Sequence, residues 1–482
     1  MTATRFATES LHELPRRAVP AFPGWLAALG PGVVWMALAQ GSGELIWWPY
    51  MVAKYGLAFL VLLAPACLLQ YPLTVEIGRY TLATGESIFH GFIRLNRLFG
   101  MALWILMTAS FLWFGAFASA GGTALAALTD FPHGWDQRGQ SLFWGYASIA
   151  VFFVAIVLSP VVYLLIEWFM KAVAVITVLG LLWACAQPEV LRVVPAFLGG
   201  LAGQGGPMPR PWDPADATKL LTAITFAGLG GFWILFYSYW LRDKGSGMAA
   251  HNGRITGLIT GRAETAAVSG SLPRDTGEDA ARWRAWEKYL RTDTLIGILG
   301  NLATTMMTCL LAYALLFPQG LLPKDYELAV VQSEFFAASL GEAGRVLFLV
   351  VAAAFLADTW LATADAVART QADIVQVLFP AARRYSQRRW YFLFICVLTA
   401  VTGLTMLADQ PGTLILLSAV IGFIGTVTFP VALYLLNYRL LPAHLPPWAR
   451  PRRRHAWWLG ASFLAYVALA ALYLLAVTGA RG

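Results

Sequence analysis

Three carboxylates sit deep inside apolar stretches of this chain: Glu44, Asp358 and Asp365. Hydrocarbon solvates charge poorly, so an acid kept there binds a cation, relays a proton or satisfies a fixed partner. Glu44 has no basic residue after it until Lys54, so nothing local in sequence neutralises it. It reads as a substrate or proton group and as the candidate metal ligand; the structural alternative is a carboxylate that accepts hydrogen bonds from exposed backbone amides. Asp365 precedes Arg369 by four residues, the spacing of a helical ion pair, and is either structural or part of a proton path. Asp358 lies seven residues earlier on the same helical face with no such neighbour, near mid-membrane at about 1.5 Å per residue, and Thr359 and Thr363 add hydroxyls beside it. Glu76 and Arg79, three apart, complete the candidate ion pathway, although their spacing also describes a snorkelling pair at a helix end. Asn301, Thr304, Thr305 and Thr308 share one side of a helix and either face the core or glue helices together.

Glu44 ends the run Gly41-Ser42-Gly43-Glu44, and a second glycine cluster occurs at Gly228-Leu229-Gly230-Gly231. Glycine-interrupted spans in matching halves of a chain point to a solute site, because an unwound span offers bare carbonyls and amides at the midplane. The candidate substrate-binding residues are therefore Gly41, Ser42, Gly43, Glu44, Gly228, Gly230, Gly231 and Trp233. The competing account is that these glycines merely let helices approach closely. Trp47, Trp48, Phe232, Trp233 and Trp360 surround the breaks, as ordinary packing or as a pocket for an organic solute or cation.

The elements that must position these groups are membrane spans. Of 482 residues, 59% are hydrophobic and 12% charged, with mean hydropathy +0.63; a soluble protein carries about a quarter charged residues. Apolar runs at 27–53, 57–82, 98–127, 141–158, 161–185, 218–241, 290–317, 344–370, 389–407, 411–438 and 456–478 give eleven spans. With the N-terminus inside, 25 Lys and Arg fall in inside segments and seven outside. The C-terminus is then extracytoplasmic and the membrane a bacterial inner membrane. The net charge of +8 is thus a topology signal, and nucleic acid is not expected as a partner; the lipid bilayer is.

Residues 1–26 form a cytoplasmic segment without a cleaved leader, 27–185 and 218–438 form two five-span halves, 186–217 an outer loop, and 439–482 a basic turn plus the last span. Five is odd, so the halves enter from opposite sides and the repeat is inverted. The polar insertion 242–289 reads as a mobile cytoplasmic loop ending in a short interfacial helix that carries Trp283 and Trp286. Cys67, Cys185, Cys309 and Cys396 read as small apolar residues. No HExxH, GxSxG or paired histidine cluster lies in the spans, so an enzyme is not expected, nor a cofactor.

Gly30-Pro31-Gly32 followed by Gly41-Ser42-Gly43-Glu44 resembles the first span of the Nramp metal-ion transporters, and Leu69-Gln70-Tyr71 through Gly78, Thr84-Gly85 and Glu86 resembles their second. The resemblance implies an all-α membrane protein with a leucine-transporter-like fold: eleven transmembrane helices and an inverted five-plus-five repeat with helices 1 and 6 broken. It also implies alternating-access transport of a divalent metal, with protons as a candidate coupling ion. The departures matter. The family's metal-binding Asp falls on Gly41, its Asn on Glu44, its sixth-span Met-Pro-His on Gly231-Phe232-Trp233, and its second His on Ser238. Losing the thioether favours hard cations such as Mg²⁺ or Mn²⁺ over softer metals; the alternative is the same fold carrying a small organic solute.

Overall fold

Eight helices of the computed structural model are long and apolar enough to cross a membrane: Leu60–Thr84, Arg97–Thr129, Gln137–Leu158, Val162–Cys185, Gly277–Gln319, Gly341–Leu378, Ile415–Ala443 and Pro447–Thr478. The structure describes residues 11–40, 43–112, 115–206, 212–259, 261, 264, 267–322, 328–407 and 411–479, with side chains described except at 43, 328–332, 334–340, 355–358 and 411–414. The three spans outside that set each have a local reason. The ninth, Gln387–Thr405, is 19 residues long and opens on Arg388-Arg389. The first and the sixth are broken. Eleven spans result, with ends that shift by a few residues from the sequence reading.

Alternation shows in which connections meet. The turns after spans two, four, six, eight and ten gather with the N-terminal segment on one side. Arg16 and Arg17 pair in parallel with Leu272 and Pro273. The Asn252 amide donates to the Gly85 carbonyl at 2.7 Å, Val162 N–H to the Ile255 carbonyl at 3.3 Å and Arg388 to the Thr256 carbonyl at 3.0 Å. Arg16 also reaches the His444 carbonyl at 3.1 Å. The odd-numbered turns meet on the far side, where Arg138 donates to the Leu407 carbonyl at 3.0 Å and Tyr55 and Lys54 contact Asp216.

The seventh span corrects the reading of the long insertion. Its helix begins at Gly277, not near 290, and runs unbroken to Leu311. Trp283 and Trp286 lie on this extension and are buried, not interfacial. Trp286 donates its indole N–H to the Pro20 carbonyl at 2.9 Å and packs on Phe22, so the N-terminal segment supplies the cover the sequence left open.

The first span runs helically from Pro31 to Ala39, resumes as a wide turn at Gly43–Trp47 and continues to Tyr55. The sixth is helical from Asp216 to Thr225, unwinds over 226–230, and restarts with a tight turn at Gly231–Leu235 before Phe236–Lys244. Gly228 has φ +141°, a conformation closed to other residues. At Gly230 the obstacle is space, since an added Cβ would overlap the Thr225 carbonyl. The sixth-span break is thereby written into glycine positions.

Glu86, in the turn after span two, fastens the N-terminal side. It accepts from Tyr80 at 2.6 Å, from Arg94 at 2.6 and 3.0 Å, and from the Gly270 amide at 3.0 Å. Burial pushes its carboxyl up, but the charges of His90 and Arg94 and these donors outweigh burial and bring it down to about 2. Burial also lowers His90, which leaves Arg94 as the lasting counter-charge at neutral pH.

Two outcomes follow for detergent-solubilised protein followed by thermal unfolding. Because the folded carboxyl titrates near 2 against an ordinary 4.5, its stabilisation is complete above 4.5 and fades as pH falls toward 2. Glu86→Gln leaves Arg94 buried and unpaired, lowering stability at pH 7 by about 3 kcal/mol and flattening the acid-side loss; an unchanged pH profile would contradict the assignment. Gly230→Ala lowers the unfolding temperature, whereas Gly277→Ala, whose added Cβ meets open space, does not.

Candidate functional site

The breaks come together through the elements on either side. The far halves of spans one and six pack against each other, as do their near halves, and span seven lies along the first span. Two helices, Pro31–Ala39 and Asp216–Thr225, thus end at the midplane, each with its carbonyl pole inward. Each break thus offers a carbonyl pole, which suits a cation, next to the amide pole where the second half of the span restarts.

Glu44 occupies this centre and is 2% exposed. Asn301 of span seven donates its side-chain amide to Glu44 Oε1 at 3.1 Å, and Thr308 donates to the Glu44 carbonyl at 2.9 Å. Thr304 accepts from Gln40 at 3.0 Å, and Thr305 bonds back to the Asn301 carbonyl at 2.8 Å. The polar side of span seven therefore faces the first break. Gly228 of the sixth-span break presents its backbone amide toward the Glu44 carboxyl. Among the described residues, no Lys or Arg forms an ion pair with Glu44.

The shell around Glu44 is rich in unused acceptors. Among the described residues, none donates a hydrogen bond to Glu44 Oε2, Gln40 Oε1, Gln70 Oε1 or Asn301 Oδ1, all of them buried. Gln70 joins the set from span two: its amide donates to the Thr225 carbonyl at 3.4 Å, and its carbonyl oxygen abuts Gly228. Orphaned buried oxygens are costly, and a bound cation or a donor-bearing solute would satisfy several at once. The Cys67 thiol lies beside this shell, with Asn301 Nδ2 at 3.9 Å from its Sγ. Among the described residues no three His, Cys, Asp or Glu side chains form a metal-type cluster.

The remaining candidates fall elsewhere. Gly41, Ser42 and the Asp358 side chain lie outside the described residues, and Gly43 is described by its backbone only. Gly231 starts the second half of span six, its amide donating to Thr426 at 2.8 Å. Trp233 is turned toward spans three and eight: its indole N–H donates to Thr363 at 3.2 Å, and its ring packs on Phe111, Phe117 and Phe226. Asp365 accepts from Arg369 and Tyr391, each at 2.7 Å, and Arg369 also contacts Asp243 of span six. Glu76 and Arg79 pair at 3.0 Å and are each 1% exposed, so they do not snorkel. Asn437, Tyr438, Glu287 and His455 enclose them, because spans ten and eleven and the extension of span seven cover that helix end.

Several participants gave no sequence signal. Gln40 and Gln70 are common residue types, visible only as neighbours of a glycine break and of the second-span motif. Asp293 carried the stronger cue, an acid just inside span seven. It is fully buried, accepts from Tyr237 at 2.9 Å and faces the backbone amides of Gly30 and Gly32. Glu167 of span five binds Lys244 at 2.7 Å and Lys171 at 2.5 Å, and Lys171 holds the Leu29 carbonyl at 3.1 Å. These contacts clamp the start of span one. On the far side Asp216 holds Lys54 at 2.6 Å and Lys219 at 2.7 Å, tying spans one and six. Charged clamps thus stand on both sides of Glu44.

No family model matches the chain. One uncharacterized protein of Pasteurella multocida is 31% identical over 102 residues, which is 21% of this chain and 22% of that protein's length. Solved structures align over nearly the whole chain. A mutant of the Eremococcus coleocola manganese transporter aligns at TM-score 0.63 with 14% identity, covering 98% of this chain and 91% of that one. MhsT in complex with L-phenylalanine aligns at 0.58 with 12% identity, covering 95% and 99%. The nucleobase-cation-symport-1 transporter Mhp1, with a bromovinylhydantoin bound, aligns at 0.51 with 14% identity, covering 98% and 96%. The chain is an integral membrane protein with the leucine-transporter fold, an inverted five-plus-five repeat whose first and sixth helices are broken.

Proposed function

We propose that this chain is a secondary transporter of the Nramp-like kind that carries a small hard cation by alternating access. The observation that carries the reading is the shell of unpartnered oxygens around Glu44, built from Gln40, Gln70 and Asn301 between two negative helix ends. One carboxylate with neutral amide oxygens suits Mg²⁺ or Mn²⁺ retaining part of its water, since hard cations prefer oxygen and Mg²⁺ sheds water reluctantly. Gly41 and Ser42 belong to this site in the proposal, and residues 27–185 and 218–438 are its two repeats. The N-terminus is cytoplasmic and the C-terminus extracytoplasmic, as the basic turns require. Alternating access then consists of releasing one set of charged clamps at a time: Glu167–Lys244 with Asp293 at Gly30 and Gly32 on the cytoplasmic side, Lys54–Asp216–Lys219 on the other. Asp365, Glu76 and Arg79 are each engaged in an ion pair, and in the proposal it is Glu44 that carries a coupling proton.

A second reading rests on the indoles of Trp35, Trp47 and Trp48, buried beside the breaks with unpartnered N–H groups. In that reading the cargo is an organic cation or amino acid.

Purified protein in liposomes separates the two. Saturable Mg²⁺ or Mn²⁺ uptake that Glu44→Gln abolishes supports the cation; absence of metal uptake together with thermal stabilisation by an amine or amino acid supports the organic solute. Asn301→Leu removes the donor that orients Glu44, and the apparent cation affinity should fall roughly tenfold or more. Unaltered affinity in that variant would remove span seven from the site.

A further inference from the structure

We infer that the groove between spans ten and eleven, on the side that carries the N-terminal segment, is a binding site for an anionic phospholipid. The groove encloses about 820 Å³ and opens toward the space lipid occupies. Three guanidinium groups line it, Arg439, Arg450 and Arg453, and no carboxylate does. None of the three has an ion-pair partner among the described residues. Arg439 lies 5.9 Å over the Tyr434 ring, and Arg450 is steadied by the Leu445 carbonyl at 3.2 Å. Glu76, which accepts from the groove's Tyr438 at 2.9 Å, is already paired with Arg79.

The rest of the wall is apolar. Val431, Gly460 and Phe463 continue the groove along the spans, and Trp457, 82% exposed, stands at its rim. Span eleven is the least covered of the eight long helices, with 11% of its most apolar window buried, so this face meets lipid rather than protein. A ring of arginines above an apolar trough, with tyrosine and tryptophan at the level between, matches the three layers of a phospholipid: phosphate, glycerol and acyl chain. Guanidinium pairs with phosphate oxygens bidentately, and three uncompensated cations call for a headgroup with net negative charge. Free phosphate would use the arginines but leave the trough empty.

Occupancy has a structural consequence. Tyr438 lines the groove and also donates to Glu76 at 2.9 Å, while its neighbour Asn437 donates to the same carboxylate at 2.9 Å. A lipid in the groove therefore braces span ten against span two.

Native mass spectrometry and thermal unfolding of the detergent-purified full chain test the assignment, with phosphatidylglycerol, phosphatidylcholine and inorganic phosphate as probes. Phosphatidylglycerol should be retained on the order of tenfold better than phosphatidylcholine and should raise the unfolding temperature; inorganic phosphate should do neither. Replacing Arg439, Arg450 and Arg453 together with Gln should erase the preference, and replacing them with Lys should keep most of it. Equal retention of the two lipids by the unaltered protein overturns the proposal whether or not the variants fold. So does a preference that survives the Gln replacements, or stabilisation by phosphate alone.

Discussion

Peptide groups released by unwinding a helix inside a bilayer must find partners, and the rest of this structure is arranged around that demand. Water is absent there, so each free carbonyl or amide carries a penalty that only protein or cargo can relieve. The chain spends glycine at 228 and 230 to unwind the sixth span, then brings Gln70, Asn301 and Thr308 against the exposed backbone and Glu44. Satisfaction is incomplete. Thr225 and Glu44 receive donors, but four side-chain oxygens receive none. Unsatisfied oxygens gathered where two helices end are the observation on which the proposed solute site rests.

Charge elsewhere in the molecule is handled in the opposite way. Several buried acids outside the centre are paired with a base: Glu76 with Arg79, Asp365 with Arg369, Asp373 with Arg242, Glu167 with Lys244. Of these pairs, Glu167–Lys244 joins the two halves of the inverted repeat, Asp373–Arg242 joins spans six and eight within the second half, and the other two lie within one span. A closed pair fixes relative position at little net gain, because desolvation offsets much of the attraction. Pairs of that kind suit a protein whose parts must separate and re-form, whereas Glu44 and Asp293, both buried, form no ion pair among the described residues.

Much of this was legible in the sequence because of the solvent. Span count follows from run length, and the alternation of connections from where arginine clusters; both are one-dimensional properties. The breaks were legible as glycine clusters five spans apart, with Glu44 attached to one. What could not be read was which face of each helix turns inward. Asn301, Thr304 and Thr308 lie on one stripe in either event, and only packing against the first span assigns them to the site. Gln40 and Gln70 are invisible for the same reason. Glu76 and Arg79 failed differently: their spacing gave the pair, but residues more than two hundred positions later supply the burial, and local sequence carries no trace of that. The tryptophans at 283 and 286 looked interfacial because their cover lies far away in sequence, Trp448 for the first and Pro20 and Phe22 for the second.

The central claim is that Glu44 and the orphaned amide oxygens form one chamber at the meeting of the two breaks. Anomalous diffraction from crystals of the full chain grown with Mn²⁺ would test it most directly. The account predicts a peak bounded by Glu44, Asn301 and Gln70, with spans one and six unwound on either side. A continuous helix through 226–230, or a Mn²⁺ position remote from Glu44, would contradict it.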